Sequence, residues 1–361
     1  MPSPSLLLNV NMNTLMRLIT MAALVAAAPR AENRGPSPFD VKLEMLGNSE
    51  VKATFVNKGS KSLKILRTGS ILDAASVEKA KVFSGDAPVR FEGARLRLAT
   101  DVLDAGDFQR IAPGETFQVT FDIAETHDLS AGGKFDVLAD GSFAFAEEKS
   151  TTLIGSIPYT SQHVNAEVNG AIAAAVHAAF HEKRTRVQSD CQGQQLTVTQ
   201  TALRNCASIA RQAQQAASSG SAAKLQEYFK SSTQQVRNTV STVFSRVASE
   251  CGSTNSGAST YHCRDPYGYC SGRVLAYTIP AQSVMVYCPL YFNSLPDRSS
   301  TCHAQDKANT NIHESTHLTQ VKGTDDYGGY GYDFVRSLTP AQNLNHADTY
   351  TLYAQAINLG C

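Results

Sequence analysis

The sequence predicts a multi-domain chain in which an all-β segment precedes a mainly α-helical domain with some short strands, an α+β arrangement held by disulfides. Three observations lead there. At 361 residues the chain is long enough for about two domains. Its eight cysteines stand at 191, 206, 251, 263, 270, 288, 302 and 361, with none earlier, so the two parts differ in redox chemistry. The hydrophobic pattern changes as well, from period two over residues 39–148 to helical spacing beyond residue 169.

Composition narrows the function. With 42% hydrophobic and 18% charged residues the chain can bury a core and is neither disordered nor a coiled coil. Its 32 Lys plus Arg balance 32 Asp plus Glu, which argues against a nucleic-acid partner held by a chain-wide basic surface. The balance divides slightly at residue 185: from there on 13 basic face 11 acidic residues, net +2, and the preceding part is net −2. No apolar run beyond residue 30 approaches the ~20 residues of a membrane span, so no membrane partner is expected.

The first element is the apolar stretch 18–28, between Arg17 and Pro29-Arg30. It is too short to span, and Val25-x-Ala27 fits the small-residue step of a secretory cleavage site. Residues 1–27 therefore read as a signal peptide, with Met12 and Met16 offering later starts. A secreted, extracellular protein folds where eight cysteines can form up to four bridges.

Next, runs such as Phe39-Asp-Val-Lys-Leu-Glu-Met45, Val51-Lys-Ala-Thr-Phe-Val56, Leu96-Arg-Leu98 and Phe117-Gln-Val-Thr-Phe-Asp-Ile123 alternate apolar and polar residues between Gly, Asn and Pro-Gly turns. That is the β-sandwich pattern. An Ala-rich helical segment, 169–182, then leads into Lys183-Arg184, a dibasic pair seven residues before the first cysteine. A processing protease cutting after Arg184 would separate residues 28–184, a β-sandwich propeptide that assists folding or covers a site, from a mature domain, 185–361. A carbohydrate-binding or adhesion module is the rival reading of the first part.

Within 185–361, residues 197–217 and 221–250 carry apolar side chains at helical spacing, among them Leu225, Phe229, Val236, Val240, Phe244 and Val247. Residues 258–292 read as short strands, 303–320 as a helix and 323–331 as a Gly-rich loop. A last helix over 340–357 opens at Thr339-Pro340, with N-cap and first-turn proline.

His313-Glu314-Ser315-Thr316-His317 is a His-Glu-x-x-His motif inside the predicted helix. Residues four apart share a helix face, so both imidazoles can reach one zinc with the Glu beside them. A catalytic zinc needs a third ligand. The extended motif with Gly and a third His is excluded because Gln320 and Gly323 stand at those places, and no Glu follows Glu314. Asp325, Asp326, Asp333, His346 and Asp348 remain, the first two in the Gly-rich loop.

This combination resembles the deuterolysin (neutral protease II, aspzincin) family of fungal secreted metalloendopeptidases. The family joins His-Glu-x-x-His to Gly-Thr-x-Asp-x-x-Tyr-Gly, and Gly323, Thr324 and Asp326 match, while the Tyr-Gly pair falls one place late at Tyr330-Gly331. Phe121-Asp-Ile-Ala-Glu-Thr-His-Asp-Leu-Ser-Ala-Gly-Gly, Lys183-Arg184, Cys302-His-Ala-Gln-Asp306 and Asn345-His-Ala-Asp-Thr-Tyr350 also look like the family. The resemblance implies a zincin-like domain with one Zn2+ per chain, held by His313, His317 and Asp326. It also implies bridges Cys191–Cys263, Cys270–Cys288 and Cys302–Cys361, which leave Cys206–Cys251 as a fourth pair.

The implied chemistry is hydrolysis of protein or peptide substrates, basic proteins above all, with Glu314 as base toward water at the zinc. A tyrosine, Tyr330 or Tyr327, steadies the oxyanion. Asp348 on the last helix either orients a zinc ligand or accepts a basic substrate side chain. The expected molecule is thus a secreted zinc endopeptidase made as a zymogen, with its own propeptide and a processing protease as partners. The rival is a catalytically weak secreted zinc-binding effector that grips a host or cell-wall partner.

Overall fold

In the strand Glu50–Asn57, labelled β2, Val51, Ala53 and Phe55 are buried while Glu50 faces water and Lys52 and Thr54 are partly covered, so the period-two pattern of the sequence becomes one apolar face of a sheet. The computed structural model describes residues 37–182, 190–252 and 257–361. The expected signal peptide and the Lys183-Arg184 pair lie outside the described residues.

The first part runs β1 (Phe39–Met45), β2, β3 (Leu63–Leu66), β4 (Lys81–Ser84), β5 (Ala87–Pro88), β6 (Arg95–Leu98), β7 (Phe108–Ile111), β8 (Thr116–Asp122), β9 (Gly133–Leu138), β10 (Asp140–Ala146), β11 (Leu153–Thr160), β12 (Val164–Val168) and α1 (Gly170–Glu182). Among the described residues all of these strands except β6 form three sheets, ordered β1-β2-β8, β11-β10-β3-β7 and β12-β9-β4-β5. Their inner faces share a core in which Phe39, Phe55, Phe117 and Phe143 meet edge to face or stacked.

The second part runs α2 (Gly193–Ser219), α3 (Ala222–Phe229), α4 (Gln234–Gly252), β13 (Thr260–His262), β14 (Val274–Ile279), β15 (Val284–Tyr287), α5 (Pro289–Ser294), α6 (Lys307–His317), α7 (Gly331–Ser337), α8 (Pro340–Asn343) and α9 (Ala347–Leu359). One apolar core gathers Ala207 and Ala210 of α2, Phe244 and Val247 of α4, Ile312 of α6 and Tyr350 and Tyr353 of α9. Small residues on α2 let α4 approach closely, and the Cys206–Cys251 disulfide joins the two helices. Cys191–Cys263, Cys270–Cys288 and Cys302–Cys361 complete the disulfides, and no cysteine is free. Among the described residues no helix is long and apolar enough to cross a membrane.

Two elements differ from the sequence reading. The last helix is broken: α8 ends at Asn343 and His346 takes an extended conformation before α9, where it forms a parallel bridge with Asp325. Propensity cannot show that break, because the competing partner lies 21 positions upstream in a loop. The second difference is β6, which the alternation in Leu96-Arg-Leu98 grouped with the first part. It pairs instead with β14, completing a sheet ordered β13-β15-β14-β6.

A third apolar cluster follows from that pairing. Leu66, Leu96, Leu98 and Phe108 of the first part pack with Val274, Tyr277, Ile279 and Val286 of the second. Each fully buried leucine contributes roughly 1.5–3 kcal/mol relative to an exposed one. Contacts of this kind make Gly35–Cys361 one compact unit.

The Cys302–Cys361 bridge closes a loop with a sequence separation of 59 and anchors the chain end behind α9. Replacing both cysteines by Ala is expected to lower unfolding free energy by about 2–5 kcal/mol in denaturant titration. An unchanged midpoint would show that the helix packing alone holds the C-terminus.

Candidate metal centre

Helix α6 begins where Asp306 caps it, its Oδ1 accepting from the Asn309 amide at 2.7 Å, and every residue from Lys307 to His317 is buried. Four residues apart, His313 and His317 face the same way, with their Nε2 atoms 3.1 Å from each other. The helix stops at His317 because the chain doubles back: the amides of Gly323 and Thr324 both donate to the Thr316 carbonyl, at 3.0 and 3.1 Å. Gly323 takes φ +71°, which a glycine adopts without strain. This reversal carries Asp326 to the two histidines, its Oδ1 3.3 Å from His313 Nε2 and 3.5 Å from His317 Nε2.

The loop is fixed from both sides. Asp325 donates its amide to the Asn345 carbonyl at 2.8 Å and accepts from the Ala347 amide at 3.1 Å. His346 is buried with Nε2 3.1 Å from the Asp326 carbonyl and 3.3 Å from that of Gly329, so it staples the loop. A Cβ on Gly329 would lie 2.4 Å from the Phe334 ring, which explains a glycine there. His303 stacks on Tyr332 at 4.1 Å, in another part of the domain. Asp333 lies in the first turn of α7, outside the cluster formed by His313, His317 and Asp326.

Of the predicted site residues, the structure brings His313, Glu314, His317, Asp326 and Asp348 into one buried neighbourhood, with Tyr330 partly buried and near enough to feel the charges of Asp326, Asp348 and Glu314. The Glu314 carboxylate accepts from Thr278 Oγ1 of β14 at 2.6 Å through Oε2, and its Oε1 is buried with no hydrogen-bond partner among the described residues. Asp348 Oδ1 lies 3.1 Å from His313 Nδ1, and its Oδ2 accepts from the Gly331 amide at 2.8 Å. The Tyr330 hydroxyl donates to the Leu96 carbonyl at 2.9 Å, whereas the Tyr327 hydroxyl accepts from Asn345 Nδ2 at 3.2 Å on the far side of the loop.

Three participants went unseen in the sequence. Arg97 of β6 is buried, ion-paired with Asp348, with Nη1 3.1 Å from His313 Nδ1. An arginine can only donate, so it and the imidazole both point protons at the same carboxylate oxygen. Thr278 is the second, and the third is the pair Lys81 and Arg95, which bind Asp325 at 3.3 and 2.8 Å. No motif marks these residues: the β6–β14 pairing brings in Arg95, Arg97 and Thr278, and Lys81 arrives separately on β4.

The charges respond to burial and to one another. For His313, burial and Arg97 act downward, yet Asp326 and Asp348 outweigh them and its pKa rises to about 9. Burial pushes His317 down to about 4, against the pull of Asp326. Burial would raise Asp326, but the two histidines bring it to about 2. Glu314 is pushed up to about 7 by burial, with His313 and Thr278 acting the other way. Asp348 is held well below the usual carboxylate range because Arg97 and His313 overcome the burial cost.

These residues fit a zinc ion. Two nitrogens and one oxygen converge within 3.5 Å of each other, and Asp326 Oδ1 is buried with no hydrogen-bond partner among the described residues. Each histidine turns its other ring nitrogen to an acceptor, His313 Nδ1 to Asp348 and His317 Nδ1 to the Thr324 carbonyl at 3.0 Å. With the proton on Nδ1 in each ring, both Nε2 lone pairs would face inward, the tautomer a metal requires, and binding a metal would displace any proton from His313 Nε2. Three such ligands would leave a fourth position open, the arrangement of catalytic rather than structural zinc sites.

The family model for deuterolysin (M35) metalloproteases matches residues 11–361. A neutral protease 2 homolog of Colletotrichum graminicola is 53% identical over 95% of this chain and 98% of its own length. Neutral protease 2 of Aspergillus oryzae is 40% identical, over 95% of this chain and 97% of its own. Among solved structures, a zinc peptidase from Grifola frondosa aligns over 46% of this chain and 97% of its own at 20% identity, with a TM-score of 0.39.

Metal analysis of dialysed variants distinguishes ligand from supporting carboxylate. Asp326→Ala is expected to lose stoichiometric zinc, and Asp348→Ala to keep it with affinity lowered about 10–100-fold. The reverse order would make Asp348 the third ligand.

Proposed function

The chain belongs to the deuterolysin metalloprotease (M35) family and is a zinc metalloprotease; on that premise we propose a secreted endopeptidase, made as a zymogen, with one zinc held by His313, His317 and Asp326. The observation that carries this reading is the convergence of those three ligand atoms beside the carboxylate of Glu314. Residues 1–27 would direct secretion, 28–184 would serve as the β-rich propeptide, and 185–361 would be the active domain once a processing protease cuts after Lys183-Arg184.

Zinc in this site would supply Lewis acidity toward a scissile carbonyl. Glu314 takes a proton from the attacking water and hands it to the leaving amine. Its raised pKa of about 7, caused first by burial, suits a group that must both accept and release a proton near neutrality. Thr278 fixes one carboxylate oxygen and leaves Oε1 unpartnered, the atom available to the water. Tyr330 donates its hydroxyl to the developing oxyanion, a role supported by its hold on a backbone carbonyl at 2.9 Å and by its lying close enough to Asp326 and Glu314 to feel their charges. Asp348 has two tasks: it orients His313 through Nδ1, and it offers a buried negative charge to a basic substrate side chain. That second task would favour basic proteins as substrates.

Peptidase assays on processed protein test the assignment. Glu314→Gln should retain stoichiometric zinc and lose at least about 100-fold in kcat; near-normal turnover would remove Glu314 from the reaction. Separately, Tyr330→Phe should lower kcat about 100-fold with KM little changed, while Tyr327→Phe stays within about threefold of the parent. A larger loss in Tyr327→Phe would exchange the two roles.

A further inference from the structure

The function above leaves one strand unexplained. In the sheet ordered β13-β15-β14-β6, only β6 comes from the part before residue 183, so without it β14 would present a bare edge beside Glu314. Such an edge invites an extended peptide to add as a further strand. Resting on the protease reading, we infer that β6 is a substrate-like plug, with the Leu96–Arg97 peptide bond where a scissile bond would lie and Arg97 filling the pocket that faces Asp348.

Four observations fit together. β6 runs antiparallel to β14, with Leu98 opposite Val274, Arg97 opposite Ala276, Leu96 opposite Tyr277 and Arg95 opposite Thr278. Thr278 is also the residue that holds Glu314. The Leu96 carbonyl accepts from Tyr330 at 2.9 Å, the donor assigned above to a substrate carbonyl. One residue on, where the group after the bond would sit, Arg97 is 2% exposed and paired with Asp348.

The alternation of the strand supports the same placement. Leu96 and Leu98 enter the apolar cluster with Tyr277 and Ile279, while Arg95 and Arg97 point to acids on either side of the metal ligands. Arg95 binds Asp325 at 2.8 Å and Glu78 at 2.6 Å, so the plug also clamps the loop that carries Asp326. A cut after residue 184 does not touch β6. The freed first part therefore stays bound as an inhibitor until it dissociates or is digested.

The test uses the intact chain, checked by mass to be uncut, as parent and as Arg97→Ala, Arg97→Lys and Arg90→Ala, Arg90 being exposed and outside the strand. Hydrolysis of a short fluorogenic peptide and hydrogen exchange of the 274–279 amides are followed in each. Arg97→Ala is expected to hydrolyse at least tenfold faster than intact parent and to exchange those amides faster. Arg97→Lys and Arg90→Ala should stay latent, and all four should match once fully processed. Latency and exchange unchanged in Arg97→Ala, with active processed protein, overturn the plug and leave the protease standing. Activation of Arg97→Lys or Arg90→Ala equal to that of Arg97→Ala also overturns it, since general loosening of the first part would then suffice. If no processed protein is active, the protease reading fails, and the exchange data alone decide the plug: faster exchange in Arg97→Ala only upholds it, and equal exchange overturns it.

Discussion

Buried charge is the constraint on which the rest depends. His313, Glu314, His317, Asp326, Asp348 and Arg97 lie together with 8% exposure or less, and an isolated ionised group in such a place is costly unless it is paired. Arg97 and Asp348 neutralise each other, and Asp326 finds its compensation in the two imidazoles. The buried orphan oxygen of Asp326, on a carboxylate that its two histidine neighbours hold below the usual range, leaves a negative charge turned toward the space between the imidazoles. A zinc ion satisfies that charge with a single atom, and the hydrogen bonds to the two Nδ1 atoms already orient the rings for it.

The same constraint links the two parts of the chain. If the first part leaves, Asp348 loses Arg97, Asp325 loses Arg95 and Lys81, and Leu96 and Leu98 leave an apolar surface at Tyr277 and Ile279. The exposed cleft would then have an open strand edge, a carboxylate at one side and an apolar wall at the other. Those are features that bind an extended peptide with a basic side chain, so on this reading the inhibitory contacts and the substrate contacts are one set of interactions used twice.

Much of the site was legible because its chemistry is local in sequence. The four-residue spacing of His313 and His317 needs only a helix, and Asp326 needs only a glycine turn soon afterward. The helix break at His346 was not legible, since its extended backbone answers to Asp325 across a loop and not to neighbouring propensity. Nor was the partner of β6. Alternation in Leu96-Arg-Leu98 says which side chains share a face but not which sheet the strand joins, and nothing local separates Arg97 from Arg95 or Arg90. Thr278 was hidden for the same reason: a threonine in a wholly buried strand reads as packing until the carboxylate beside it is located.

The central claim is that the buried triangle of two imidazoles and one carboxylate is the zinc site. Anomalous diffraction at the zinc edge from crystals of the intact, zinc-loaded chain tests it most directly. The account predicts one strong peak at about 2.0–2.2 Å from His313 Nε2, His317 Nε2 and an Asp326 carboxylate oxygen, with Asp348 still on His313 Nδ1. A peak ligated by Asp348 or Asp325 in place of Asp326, or zinc bound away from the two histidines, would contradict it.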